Sequence, residues 1–133
     1  MIIRPYLATD YDSVVQLLND CNIEPPVEPG DLNGLGLVAE ESDRVIGFMW
    51  ALVSTSTFAH VDYLAVSDDY QGSKIASSMI VIMDKLLISM GVRRYEFHVE
   101  QHSDRFLGLI EKYKGPSKIQ KLRPLHIFRR EIL

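Results

Sequence analysis

The sequence predicts an α+β fold, a central mixed and mostly antiparallel sheet flanked by helices. The first observation behind this is the order of elements: strand, helix, three strands, helix, strand, helix, strand. The second is that the three consecutive strands are joined by short turns, which pairs them antiparallel. The third is that each helix carries one apolar stripe, so the helices cover the sheet around a shared core. The 133 residues suit one domain spanning 1–133. There is no internal repeat, low-complexity tract or linker.

Ile2–Pro5 reads as the first strand. Thr9 to Asp12 resembles a capping box, with Asp in place of the usual Glu or Gln. Val14, Leu17, Leu18 and Cys21 then recur at helical spacing. Asn22–Gly36 is a turn-rich segment with three prolines, longer than a simple connection needs. Leu35–Glu40 and Val45–Ser54 read as strands around the polar turn Glu41-Ser42-Asp43-Arg44. In the next strand, Ala59–Val66, strict alternation puts His60, Asp62, Leu64 and Val66 on one face. Val61, Tyr63 and Ala65 fall on the other.

Ile75, Met79, Ile82, Met83, Leu86, Leu87 and Met90 form the expected inner stripe of a long helix, with Gly91 placed as its C-terminal cap. Tyr95, Phe97 and Val99 alternate with Glu96, His98 and Glu100 in a further strand. Ser103–Tyr113 reads as an amphipathic helix with Phe106, Leu107 and Ile110 inward, stopped by Gly115-Pro116. Leu125–Leu133 reads as the final strand.

Composition is that of an ordinary globular protein, 47% hydrophobic and 24% charged. Asp84 and Lys85 interrupt the longest apolar helix, so no segment reads as a bilayer span. The first residues lack the layout of a signal peptide, and the single cysteine excludes an internal disulfide. These features predict a cytoplasmic protein. Cys21 reads as a core residue rather than a nucleophile, because no nearby His supports it. Residues 1–110 carry 7 basic and 16 acidic side chains, and residues 111–133 carry 7 and 2. The basic tail reads as a solvated helix end and strand face. Nucleic-acid binding is not expected, since no aromatic residues interleave for base stacking. No Walker loop, nucleophile elbow or Cys-x-x-Cys is present. His60, His98, His102 and His126 lack metal-ligand spacing, so no metal is expected. The apolar final strand, if it lies uncovered at a sheet edge, would allow a homodimer.

The chemistry concentrates where the Ala59–Val66 strand turns into the long helix. A strand, a short polar turn with a glycine and a helix start together aim backbone N–H groups and a helix dipole at one point. Such a point suits a phosphate or diphosphate. The wording Val66-Ser67-Asp68-Asp69-Tyr70-Gln71-Gly72-Ser73-Lys74-Ile75-Ala76 resembles the coenzyme A loop of the GNAT superfamily of N-acetyltransferases, Val-x-Pro-x-x-Arg/Gln-x-x-Gly-x-Gly/Ala. Val66, Gln71 and Ala76 match. Asp68 stands for the proline and Lys74 for the first motif glycine. The element order also matches the GNAT fold, with the family's second helix reduced to the Asn22–Gly36 loop.

The resemblance implies acetyl-coenzyme A as co-substrate and a primary amine as acceptor. It assigns the diphosphate cradle to the backbone of Gln71, Gly72, Ser73, Lys74, Ile75 and Ala76, with the Ser77 hydroxyl as a further contact. It also implies a bulge that splays the preceding strand, leaving Leu64, Ala65 and Val66 to pair with the pantetheine arm. A backbone N–H there polarises the thioester carbonyl. A base must deprotonate the ammonium, and His60 and Asp62 are both candidates. Ser103 matches the asparagine of the family's last helix, and Ile110 stands where its tyrosine acid is found. Tyr113 lies about 60° around that helix axis and is the substitute donor, with water as the alternative. Lys74 obstructs the diphosphate or partly compensates as a cation. The acids Glu24, Glu28 and Asp31 would favour a cationic acceptor. Two functions follow: an N-acetyltransferase, or a catalytically inactive GNAT-fold binding or regulatory module.

Overall fold

A computed structural model describes residues 1–27, 34–70, 74–98, 118–121 and 127–131. Its elements are β1 (Ile2–Pro5), α1 (Tyr11–Asp20), β2 (Leu35–Glu41), β3 (Arg44–Val53), β4 (Phe58–Val66), α2 (Ile75–Ser89), β5 (Arg94–His98), β6 (Lys118–Lys121) and β7 (Ile127–Glu131). One sheet contains all the strands in the order β1-β2-β3-β4-β5-β7-β6. Every neighbouring pair is antiparallel except β4 and β5. The expected mixed, mostly antiparallel sheet is therefore present. The helix expected over Ser103–Tyr113 lies outside the described residues.

The two faces of the sheet carry separate apolar clusters. Val14, Leu17 and Leu18 of α1 pack on Val38, Phe48, Trp50 and Ala65. Ile75, Met79, Ile80, Met83 and Leu87 of α2 pack on Ile46, Met49, Ala51, Ala59, Val61, Tyr95 and Phe97. Gly47 lets α2 approach β3. A Cβ there would stand 3.1 Å from the Met79 methyl and 3.2 Å from an Ile75 methyl. Gly91 closes α2 at φ 86°, as its position after the apolar stripe predicted.

Several local expectations change. Leu86 and Met90 are exposed on α2, whereas Ile80 and Asp84 are buried. The apolar face is rotated because Asp84 points inward and accepts a hydrogen bond from the Tyr95 hydroxyl. The capping box over Thr9–Asp12 does not form, and α1 begins after Asp10 without a side-chain cap. The Asp10 carboxylate instead accepts from the Leu7 N–H at 2.8 Å and from both terminal nitrogens of Arg4 at 2.8 Å. Arg4 also bonds Glu40 of β2 at 2.7 Å. This pairing with Arg4 holds the Asp10 carboxyl below its ordinary range and the guanidinium above its own. The final strand is β7, and the unpredicted β6 pairs beside it. β7 is thus paired on both edges, and β6 takes the edge position expected for the final strand.

Candidate functional site

The alternation along β4 breaks at Asp62. Tyr63 pairs with Trp50 and Val61 with Ala51, so the register with β3 skips Asp62, which forms a β-bulge. The break reverses the faces. Ala59 and Val61 lie on the α2 side before it, and Leu64 and Val66 lie on that side after it. Tyr63 and Ala65 face α1. The single-face assignment of His60, Asp62, Leu64 and Val66 is therefore corrected. An inserted residue shifts a period-two pattern by one, and no side-chain pattern announces it.

The bulge nevertheless brings the two base candidates together. His60 Nδ1 and Asp62 Oδ1 are 2.9 Å apart, with side chains 20% and 31% exposed. A carboxylate can only accept, so the proton of this bond sits on Nδ1 and the basic lone pair on Nε2. The parallel register adds a residue that sequence reasoning had treated only as an outward strand position. Glu96 of β5 lies directly beside His60. Tyr95 and Phe97 point into the α2-side core, so half-buried Glu96 shares the α1 side with His60. Tyr63 lines the same side, its ring 6.0 Å from Phe48 and 6.2 Å from Trp50.

The described pairing of β4 with β5 covers Phe58–Val61 against Arg94–Phe97, and β4 itself continues to Val66. Leu64, Ala65 and Val66 pair with Met49, Phe48 and Gly47 on the β3 edge. Among the described residues no strand pairs with their other edge.

The strand then leads into the turn. The Ser67 N–H donates to the Ile46 carbonyl at 2.8 Å, and the Tyr70 N–H to the Ser67 carbonyl at 2.9 Å. A short 3-10 turn spans Asp68–Tyr70. The Glu41 carboxylate, and after it burial, raise the Tyr70 phenol above its ordinary value. Gln71, Gly72 and Ser73 lie outside the described residues.

Lys74 caps α2 in the left-handed conformation, φ 67° and ψ 14°. A glycine adopts this region without steric cost, which gives the glycine of the resembling motif a physical meaning. Lys74 supplies the same backbone course at some conformational expense. Ile75 is 2% exposed and anchors the first turn of α2 in the core. Half-buried Ala76 packs against the same core. The Ser77 hydroxyl donates to the Lys74 carbonyl at 3.1 Å, so contacting an anion would require its rotation.

Ser103, Ile110 and Tyr113 lie outside the described residues, as do Glu28 and Asp31. Glu24 is exposed, and its loop is tied to α1 by the Tyr11 hydroxyl donating to the Pro26 carbonyl at 2.7 Å. Among the described residues no group of three His, Cys, Asp or Glu could hold a metal ion, and no helix is long and apolar enough to cross a membrane. Cys21 is half-buried, with its sulfur 3.5 Å from the Val66 carbonyl.

An acetyltransferase of Pectobacterium atrosepticum is 26% identical over 121 residues, covering 84% of this chain and 85% of that protein. The crystal structure of Ard1 from Thermoplasma volcanium superposes with a TM-score of 0.82 at 17% identity, covering 99% of this chain and 97% of the other. The PaiA N-acetyltransferase of Thermoplasma acidophilum, solved in complex with coenzyme A, superposes with a TM-score of 0.74 at 14% identity, covering 99% and 98%. The model of the acetyltransferase (GNAT) family matches residues 5–115. With the sheet order, the bulged β4 and the turn into α2 already described, this match makes the chain a member of the GNAT family of acetyltransferases.

Proposed function

We propose that this acetyltransferase moves an acetyl group from acetyl-coenzyme A to a primary amine, with His60 as the base and Asp62 orienting it. The observation that carries the reading is the 2.9 Å bond between His60 Nδ1 and Asp62 Oδ1 at the bulge. It leaves the basic lone pair on Nε2, on the strand that leads into the turn before α2. Acetyl-coenzyme A supplies the acyl group as a thioester. The residues present fit that partner: Leu64–Val66 lead into a left-handed entry to a helix start of the kind that binds anions.

In this reading, Nε2 of His60 takes a proton from the acceptor ammonium. The freed nitrogen lone pair forms the bond to the acetyl carbon, and the carbon–sulfur bond breaks with its electrons on sulfur. Tyr113 or water supplies the proton that the thiolate takes up. Asp62 stabilises the imidazolium formed, and Glu96 beside it adds negative potential that favours a cationic acceptor. A β4 backbone N–H polarises the carbonyl oxygen as charge develops there. The inactive-module alternative rests on the departures at Lys74 and Ile110, and Ile110 lies outside the described residues. The left-handed backbone of Lys74 follows the course of a motif glycine, so that departure does not favour the alternative.

Titration calorimetry with acetyl-coenzyme A, then thiol release over a panel of amines, tests the proposal. Neither heat nor thermal shift at millimolar acetyl-coenzyme A would overturn it. His60→Ala should lower kcat/KM by roughly 10²–10⁴-fold, the usual contribution of a positioned base, and flatten the rise of rate with pH. Asp62→Asn keeps an acceptor oxygen for Nδ1 and should lose less than Asp62→Ala. An unchanged pH profile in both the His60 and Asp62 variants would remove the base assignment.

A further inference from the structure

We propose that Arg94, held over Phe58 beside the His60–Glu96 pair, binds a carboxylate of the acceptor, so that the acceptor is a small amine carrying a carboxylate on the same molecule. This assignment of a substrate class rests on the reading of His60 as the base. Ala59, Val61, Tyr95 and Phe97 enter the α2-side core. Alternation therefore puts Phe58 and His60 of β4 on the α1 side, together with Arg94 and Glu96 of β5. Leu52, opposite His60 on β3, packs with the α1-side cluster and agrees with this placement. The parallel register sets Phe58 against Arg94 and His60 against Glu96. The two rows are two residues apart along each strand, a rise of about 6.6 Å.

Phe58 is half-buried and Arg94 is exposed. The Arg94 Cζ lies over the Phe58 ring, 5.6 Å from its centroid, within the range of cation–π attraction. The Arg94 N–H donates to the Thr57 carbonyl at 3.3 Å, which ties the start of β5 to the turn before β4. The ring attracts the guanidinium charge but accepts none of its N–H donors through their edge. β7 carries Glu131 opposite Arg94 in register, yet among the described residues Arg94 forms no salt bridge. A planar guanidinium held in this way presents its fork to an anion from solvent, and the fork matches a carboxylate.

The charges on this face sort an acceptor end to end. Asp62 and Glu96 surround His60 with negative potential, which draws an ammonium and repels a carboxylate. Arg94 supplies the opposite charge one row away. An amine whose own carboxylate lies a few bonds off meets both charges at once, with its nitrogen at Nε2 of His60. An amine without a carboxylate gains nothing from Arg94.

The test sets β-alanine and γ-aminobutyrate against their carboxamides, which keep the amine and remove the negative charge. Calorimetry on coenzyme A-loaded protein reads binding, and thiol release from acetyl-coenzyme A reads turnover. Wild type should prefer each acid to its carboxamide by roughly tenfold or more, the scale of one hydrogen bond between charged groups. Arg94→Met should raise KM for the acids by a similar factor with kcat little changed, and bring the acid-to-carboxamide ratio to about one. Arg94→Lys, cationic but without the fork, should keep part of the preference. Phe58→Leu should also lose only part of it. His60→Ala should lose turnover and keep the acid preference in binding. Equal affinity of the wild type for acids and carboxamides would overturn the proposal. So would equal losses on both in Arg94→Met, or a wild type that binds coenzyme A and neither acid. An acid preference in binding without thiol release would uphold the carboxylate site and remove the transfer at His60 alone.

Discussion

Replacing Lys74 with glycine should stabilise the protein by about 0.5–1 kcal/mol, even though it removes a residue from a candidate binding turn. Lys74 caps α2 at φ 67° and ψ 14°. A residue with a Cβ pays about 1–2 kcal/mol in that region, where Cβ crowds the following carbonyl oxygen. Glycine avoids the clash but gives back roughly 0.5–1 kcal/mol, because its unfolded chain has more freedom to lose. Unfolding entropy is about 2.1 cal/mol/K per residue, or roughly 0.28 kcal/mol/K for 133 residues. The expected rise in Tm is therefore about 2–4 °C. Scanning calorimetry on wild type, Lys74→Gly and Lys74→Ala makes the comparison. Lys74→Ala keeps the Cβ and removes the charge, so it should show no rise. A Tm for Lys74→Gly at or below wild type would refute the reasoning, as would an equal rise in Lys74→Ala. Coenzyme A titration on the same proteins separates the second role. Equal loss of affinity in both variants would report a lost cation near phosphate.

Two further predictions concern the frame around the site. The Asp10 carboxyl is held below its ordinary range chiefly by its hydrogen bonds from Arg4. Its stabilising contribution is therefore full above about pH 4, the ordinary aspartate value, and is lost as pH falls through the lower folded value. Arg4→Met should cost about 2–3 kcal/mol in urea unfolding at neutral pH, and the difference from wild type should shrink as pH falls below about 4. A difference independent of pH would show that Arg4 acts through packing alone. At Gly47, a Cβ would stand 3.1 Å from both the Ala39 Cβ and the Met79 methyl, so Gly47→Ala should cost about 1–3 kcal/mol by overpacking. An unchanged Tm for Gly47→Ala would mean that α2 shifts freely on the sheet.

Local periodicity carried far along this chain. Alternation and helical spacing record which side of each element is apolar, and that alone placed β1 to β5, α1 and α2 close to their observed bounds. A glycine just past an apolar stripe marked the end of α2 at Gly91. The same signal failed where one side chain had a private partner. Asp84 turned inward to Tyr95 and rotated the apolar face of α2. Asp10 was drawn to Arg4 and Leu7, and the expected capping box did not form. β6 was missed because its four residues, Lys-Ile-Gln-Lys, offer one apolar side chain and no alternation to read.

By itself, the sequence determined the element types, their order, the mostly antiparallel sheet and the strand-turn-helix that marks the coenzyme A loop of the family. Each follows from interactions between near neighbours. Tertiary structure alone decided the bulge at Asp62, the left-handed backbone of Lys74 and the bond between Asp62 and His60. It alone decided that Glu96 lies beside His60. The physical reason is register. Which residue stands opposite another depends on hydrogen bonds between strands far apart in the chain, and one inserted residue changes every pairing after it.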